Sequence, residues 1–391
     1  MILLEQEFKK VKVINHIPLW LDQNQIWLFH QLQNLPSSVE SHIFCERTAN
    51  LDYFSLPNIH NLSAGPKWKY FKDKGLRKIG IFRHLQSLGD IANREQSNIL
   101  HSHFGHIGWE DLKLAKNLGI CHVVTFYGWD ISKLPKSEPR WRNRYKELFE
   151  NVYLILCEGS HMAQCIINLG CPEQKVKVQH LGVDVDSIAF QPRVWNLGEP
   201  LKVLIAAGFR EKKGIPYALE ALGKLQSYVD LEITIIGDAN KELRNQQEKQ
   251  KILSIIREHN LAPKTRLLGY QPYKVLLEEA YKHHIFISSS VTASDGDTEG
   301  GAPVSLLDLA ATGMPIVSTR HCDIPEVIHH GETGLLAEER NVLGLVNLFK
   351  WLINNPEQWH PMVTAGRKRV ETEYNSYTQG QRLAKIYSDL L

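Results

Sequence analysis

The sequence predicts an α/β protein of two doubly wound, Rossmann-like domains facing across a cleft, and three observations lead there. With 391 residues, the chain exceeds what a single hydrophobic core usually serves. Short apolar runs alternate with amphipathic stretches along its whole length, the pattern of parallel strands covered by helices on both faces. The stretch QPRVWNLGEP, residues 191–200, then interrupts that pattern with prolines and a glycine, which mark a boundary. The first domain is therefore expected over residues 1–192 and the second over 193–370. Residues 371–391 are expected to form a helix that packs back on the first domain.

Strands of the first domain are expected at Val11–Asn15, His42–Cys45, Ile99–His101, His122–Thr125, Tyr153–Cys157 and Val176–His180. The second domain opens with the strand LKVLIAAG. A helix follows in which Ile215, Leu219, Leu222 and Leu225 recur at helical spacing, which makes that stripe core rather than site. Next come strand LEITIIG, a charged helix through 241–260, strand RLLGY and a helix over 273–282. Strand HIFISSS, a polar loop, helix PVSLLDLAAT and strand PIVST complete the series. No repeat of twenty to fifty residues is present, so solenoids and propellers are set aside.

Composition narrows the function classes. Hydrophobic residues at 43% and charged residues at 23% describe a globular chain rather than a disordered one. A net charge of +2 gives no reason to expect nucleic acid as a partner. The six cysteines form no CxxC pair, which argues against both a zinc knuckle and a disulfide framework. Glu5 and Glu7 fall where a signal peptide needs its apolar run, and no window reaches eighteen uninterrupted apolar residues, so a cytoplasmic chain is expected. Neither GxGxxG after an early strand nor GxxxxGK[ST] occurs, which removes nicotinamide dehydrogenases and P-loop ATPases.

Two loops carry the chemistry. In doubly wound sheets, ligands bind beyond the carboxyl ends of the strands, and the loop 291–302 directly follows strand HIFISSS. Gly300 and Gly301 permit close backbone approach, and Pro303 suits the start of a helix. The first N–H groups of that helix, those of Val304 and Ser305, are natural donors to a diphosphate. Asp308 lies among Leu306, Leu307 and Leu309, a costly place for a carboxylate unless ribose hydroxyls satisfy it. The second loop, FREKKG, offers Arg210 and Lys213 to the charge that develops on a departing nucleotide. A solvated turn and a helix-dipole glutamate are the alternatives to these two assignments.

The ordered set of motifs is similar to that of the retaining glycosyltransferases of family 4. HSHFG at 101–105, TFYGWD at 125–130, LGVDVDSIAFQP at 181–192, KKG at 212–214, EGGAPVSLLD at 299–308 and DIPEVIHHGETGLL at 323–336 span nearly the whole chain. This resemblance implies the GT-B fold and transfer of a sugar from a nucleoside diphosphate, UDP above all, to a glycan, lipid-linked or small-molecule hydroxyl with retention of configuration. It assigns the diphosphate to Arg210 and Lys213, the sugar hydroxyls to Glu299 and the ribose to Asp308. Backbone near Gly237 and Leu268 would meet the base, while His103, Tyr127 and Asp130 would lie on the acceptor or sugar side. No cofactor and no metal are implied. Three departures stand out: the Glu299–Asp308 spacing is one residue longer than the family's, Gly208 holds the position of the family arginine, and Tyr127 replaces the usual active-site histidine.

Asp295-Gly296-Asp297 spells DxD, a metal-binding signature in other glycosyltransferases, and reads here as a turn. The stretch 67–85 interleaves seven basic residues with Trp68, Tyr70, Phe71 and Phe82, a mixture suited to an anionic membrane surface or to a solvated helix. A sugar-binding protein without chemistry and a nucleotide-sugar epimerase are the alternative functions. The first has no use for the KKG loop, and the second needs no acceptor.

Overall fold

The computed structural model describes residues 10–21, 25–64, 75–76 and 84–391. The chain divides into two units, residues 1–182 with 376–391, and residues 183–375.

The first unit is built on a parallel sheet of seven strands: β1 (Val11–His16), β2 (Val39–Cys45), β3 (Ile59–Asn61), β4 (Ile99–His103), β5 (Cys121–Thr125), β6 (Leu154–Cys157) and β7 (Val176–Val178). Their order across the sheet is β3-β2-β1-β4-β5-β6-β7, so the winding reverses between β1 and β4. Val11 and Val13 of β1, Ile99 of β4, Val123 of β5 and Leu154 and Leu156 of β6 face the helix Ser376–Ser388, whose Leu383, Ala384 and Tyr387 close that side of the core. On the other face, Ile14, Phe44 and Leu100 pack under the helix His84–Arg94 through Leu88 and Ala92.

The second unit repeats the plan with β8 (Leu201–Ala206), β9 (Leu231–Ile236), β10 (Thr265–Gly269), β11 (Ile285–Ser288), β12 (Ile316–Thr319) and β13 (Leu335–Ala337). The order is β10-β9-β8-β11-β12-β13, again all parallel, with the reversal between β8 and β11. Strands covered on both faces must be apolar almost continuously, and Val203, Leu204 and Ile205 alternate between two separate cores. Ile215, Leu219, Leu222 and Leu225 are all buried, as their spacing requires.

The boundaries differ from those read in the sequence. The expected break at 192/193 lies ten residues inside the second unit. Val183, Val185 and Ile188 already belong to its core, beneath the Val304–Ala311 helix. Arg193 locks the proline-rich stretch down by bonding the carbonyls of Ala280 (3.0 Å), His283 (3.1 Å) and Thr312 (3.2 Å). At the other end, Val370 and Tyr374 fill that same core, so the return to the first unit comes at 375/376 rather than 370/371. Among the described residues, no helix is long and apolar enough to cross a membrane.

Candidate active site

The reversal between β8 and β11 brings together the two loops that follow those strands, as it does wherever neighbouring strands wind off in opposite directions. After β8 the chain makes a short 3-10 turn, Glu211–Lys213, and enters the helix Ile215–Leu225 through Gly214 at φ +60°. A Cβ on Gly214 would sit 1.8 Å from the Ser289 carbonyl oxygen, so only glycine lets the two loops touch there. Ser289 Oγ donates to the Gly214 carbonyl at 2.8 Å, and the Val291 N–H donates to the Lys212 carbonyl at 2.8 Å. The loops form one stitched unit.

That unit places Lys213 Nζ 2.8 Å from Glu299 Oε2, while Ser290 Oγ donates to the other carboxylate oxygen at 2.8 Å. Burial alone would raise the Glu299 carboxyl, but Lys213, Lys212 and the Ser290 hydroxyl hold it down to about 2. Burial lowers Lys213 from the usual lysine range, and Lys212 and Arg210 add to that, while Glu299 supports its charge. The one-residue-longer spacing therefore does not separate Glu299 from Lys213.

The two lysines of KKG do different work. Lys212 donates to the Thr298 carbonyl at 2.7 Å and pairs with Asp297 at 3.2 Å, which fastens the 295–298 turn. Asp295 pairs with Arg244, so both aspartates of the DxD sequence face cations of the protein. Arg210 is exposed and projects from the start of the same turn, near enough to weigh on Lys213.

Beyond the loop, Pro303 precedes the helix Val304–Ala311, whose first N–H groups at Val304 and Ser305 lie ahead of any intrahelical partner. Gly300 adopts φ +80°, with its N–H donating to Thr298 Oγ1 at 3.2 Å, and Gly301 is buried beside it. Asp308 is buried on this helix and accepts one hydrogen bond, from the Tyr273 hydroxyl at 2.9 Å. Burial raises its carboxyl to about 7.

His321 was not singled out in the sequence. Its Nε2 accepts the Glu299 N–H at 3.1 Å while its Nδ1–H donates to Glu339 at 2.6 Å, which fixes the tautomer. Glu339 also takes the Thr292 N–H at 2.8 Å. The only sequence signal was its place beside the DIPEVI run. Gly237 follows β9 and Leu268 is the penultimate residue of β10, and one backbone group of each meets a protein partner. The Gly237 N–H donates to Gly269 O at 2.7 Å, and the Leu268 carbonyl accepts from Gln271 at 2.5 Å.

In the first unit the corresponding reversal, between β1 and β4, gathers Asn15, His103 and Tyr127. His103 Nε2 donates to Asn15 Oδ1 at 3.1 Å, so its Nδ1 accepts from the Tyr127 hydroxyl at 2.5 Å. Burial pushes the His103 imidazole well below its usual range and keeps it neutral. Asp130 is committed to the backbone, because its two oxygens accept the Gly105 N–H at 2.7 Å and the Tyr127 N–H at 3.0 Å. These bonds position the 125–130 turn.

Two family models cover the chain nearly end to end: Glycosyltransferase Family 4 over residues 27–187, and Glycosyl transferases group 1 over 187–369. The amylovoran biosynthesis glycosyltransferase AmsK of Erwinia amylovora is 32% identical over 297 residues, covering 75% of this chain and 70% of that one. The chain belongs to the family 4 glycosyltransferases. The putative colanic acid biosynthesis glycosyltransferase WcaL of Escherichia coli is 29% identical over 310 residues, 77% of this chain and 73% of that one. Among solved structures, Anabaena Alr3699/HepE in complex with UDP superimposes with a TM-score of 0.76, covering 97% and 100% of the two chains at 12% identity. At that identity the match speaks for the fold, which is GT-B. This family 4 member is thus a glycosyltransferase, with relatives in polysaccharide biosynthesis.

Proposed function

We propose that the chain is a retaining, metal-independent hexosyltransferase that takes its sugar from a UDP donor and delivers it to a hydroxyl of a glycan, lipid-linked or small-molecule acceptor. The observation that carries this reading is the ion pair between the partly exposed Lys213 and the enclosed Glu299 carboxylate beside the start of the Val304–Ala311 helix, with buried Asp308 on the same helix. A diphosphate seated on the Val304 and Ser305 N–H groups meets the Lys213 ammonium and the Arg210 guanidinium. The ribose hydroxyls give Asp308 the partners that one tyrosine does not, and Glu299, anchored by Ser290, accepts from the sugar hydroxyls.

In the transfer step the bond between the anomeric carbon and the β-phosphate oxygen breaks, and the electron pair leaves with the diphosphate. Lys213, Arg210 and the helix N-terminus stabilise that developing charge. The acceptor oxygen attacks on the same face, and its proton passes to the departing phosphate. The paired states of Asp295 and Asp297 support metal independence, since each already faces a cation. The names of the relatives from amylovoran and colanic acid biosynthesis support a glycan acceptor, and the UDP bound to Alr3699/HepE supports the donor.

Nucleotide sugars screened for thermal stabilisation identify the donor, and the product's anomeric coupling constants report the stereochemistry. Stabilisation by no UDP-sugar, an inverted product, or activity abolished by a chelator that leaves the unfolding midpoint unchanged and restored by a divalent cation would each overturn the matching part. The basic and aromatic stretch 67–85, almost all of it outside the described residues, is assigned to an anionic membrane surface. Failure to bind anionic vesicles at low salt removes that assignment.

A further inference from the structure

In the first unit, the described residues hold one trio of side chains with the donor set of a transition-metal site: His42, His60 and Glu95. The fold explains how they meet. His42 lies on β2 two residues before Phe44, so both point to the face covered by the helix His84–Arg94. His60 on the edge strand β3 is directly opposite Phe44 in the parallel register, which makes it a diagonal neighbour of His42 on that face. Glu95 follows the helix and stays on its last turn, its N–H bonding the Ile91 carbonyl at 2.9 Å. Two neighbouring strands and the end of the helix thus deliver one ligand atom each, all within 4.8 Å of one another.

The local chemistry suits a cation. His42 Nδ1 and His60 Nε2 are 3.2 Å apart, the edge of a tetrahedron whose metal–nitrogen bonds are about 2.0 Å. His42 turns its other nitrogen to Glu40 Oε1 at 3.0 Å. A carboxylate behind a ligating imidazole in this way keeps the proton on the far nitrogen and the lone pair aimed at the metal. Glu40 and Glu95 together match the charge of a divalent ion, whereas Arg94, on Glu95 at 2.7 Å, is largely exposed and can give way. His60 and Glu95 are half-buried, so water has access to a fourth position.

We propose that His42 Nδ1, His60 Nε2 and a Glu95 carboxylate oxygen form a binding site for a late first-row divalent cation of the zinc type, with Glu40 orienting His42. In the metal-free protein the two imidazoles share one hydrogen bond. Binding moves the His60 proton to Nδ1 and replaces that bond with two metal–nitrogen bonds. The ion then ties the three-residue edge strand β3 to β2 and to the end of the helix, a structural role separate from sugar transfer.

The test uses the full chain stripped with a chelator and then titrated with zinc chloride by calorimetry, with metal content measured after gel filtration. The expected result is one equivalent retained and an unfolding midpoint that rises with zinc concentration. His60→Ala and Glu95→Gln, both at half-buried positions, should abolish retention of that equivalent, and Glu40→Gln should weaken binding about ten- to a hundredfold. Cobalt chloride in place of zinc should give visible d–d bands in the wild type that vanish in both ligand variants. Absence of stoichiometric uptake by the wild type overturns the site. So does undiminished uptake by His60→Ala and Glu95→Gln, because zinc would then be held elsewhere. Neither result touches the proposed transfer reaction, since none of these residues belongs to its machinery.

Discussion

Replacing Asp308 by Asn should stabilise the free protein at alkaline pH while weakening it as an enzyme. The carboxyl is buried, takes one hydrogen bond from Tyr273, and is raised from 3.8 to about 7 by the loss of water. A folded carboxyl raised in this way binds more protons than the unfolded chain across that window. Its contribution to stability is therefore intact below 3.8, falls as pH rises through the window, and levels off above about 7. About three units at 1.36 kcal/mol each set an upper limit of about 4 kcal/mol for the cost at pH 8, where the buried group is ionised, against about 1.5 kcal/mol at pH 5, where it stays protonated while the unfolded chain ionises it. Asparagine keeps an acceptor for the Tyr273 hydroxyl and carries no charge. The gap between variant and wild type should therefore widen by about 2–3 kcal/mol from pH 5 to pH 8. Urea unfolding at the two pH values measures it. The same substitution removes a charged acceptor from the ribose, where each such bond is worth about 1.5–3 kcal/mol, so affinity for UDP should fall about tenfold or more. An Asn variant less stable than wild type at pH 8, or a gap independent of pH, would show that the free protein already satisfies this carboxylate, and the reasoning would fail.

Lys213→Ala should lower kcat/KM about a hundredfold or more, on the order of 2.7 kcal/mol of barrier, and a near-normal rate would remove its assigned role. It also leaves Glu299 buried without its nearest cation, so the double variant with Glu299→Ala should recover stability but not activity, as thermal melts and steady-state rates will show. Gly214→Ala combines a left-handed backbone with an oxygen 1.8 Å from the new carbon, and should cost about 3 kcal/mol or more in a denaturation experiment. Tyr127→Phe leaves His103 Nδ1 without its donor and should cost about 1–3 kcal/mol in stability, with kcat changed less than tenfold. A larger kinetic loss would mean that this hydroxyl reaches the sugar.

The two-domain plan was legible because parallel strands buried on both faces read as nearly continuous apolar runs, as LKVLIA and LEITII do. Ile59–Asn61 escaped because an edge strand of three half-buried residues, two of them polar, has no such signature. β4 was cut short for the opposite reason. Ser102 and His103 read as loop but are fully buried strand residues with side-chain partners. The boundary was misplaced because prolines mark where periodicity stops, whereas a domain ends where packing stops, and Val183, Val185 and Ile188 still pack. At the site, the two loops and their charges were visible, but not which lysine of the pair meets Glu299. That choice follows from the 3-10 turn, which aims Lys213 at Glu299 and Lys212 at the Thr298 carbonyl. His321 had only its place beside the DIPEVI run as a signal, because a histidine that braces a backbone N–H looks like any other.

The second unit is one continuous stretch, 183–375, whereas the first needs both 1–182 and 376–391. Synthesis on the ribosome therefore reverses the apparent order. The second unit can complete its core and fold while the half made first still lacks the helix bearing Leu383 and Tyr387. Until that helix emerges, Val11, Val13, Val123 and Leu156 remain open to water on one face of the sheet. The nascent chain is accordingly most exposed to aggregation and to chaperones in its amino-terminal half, and late in translation.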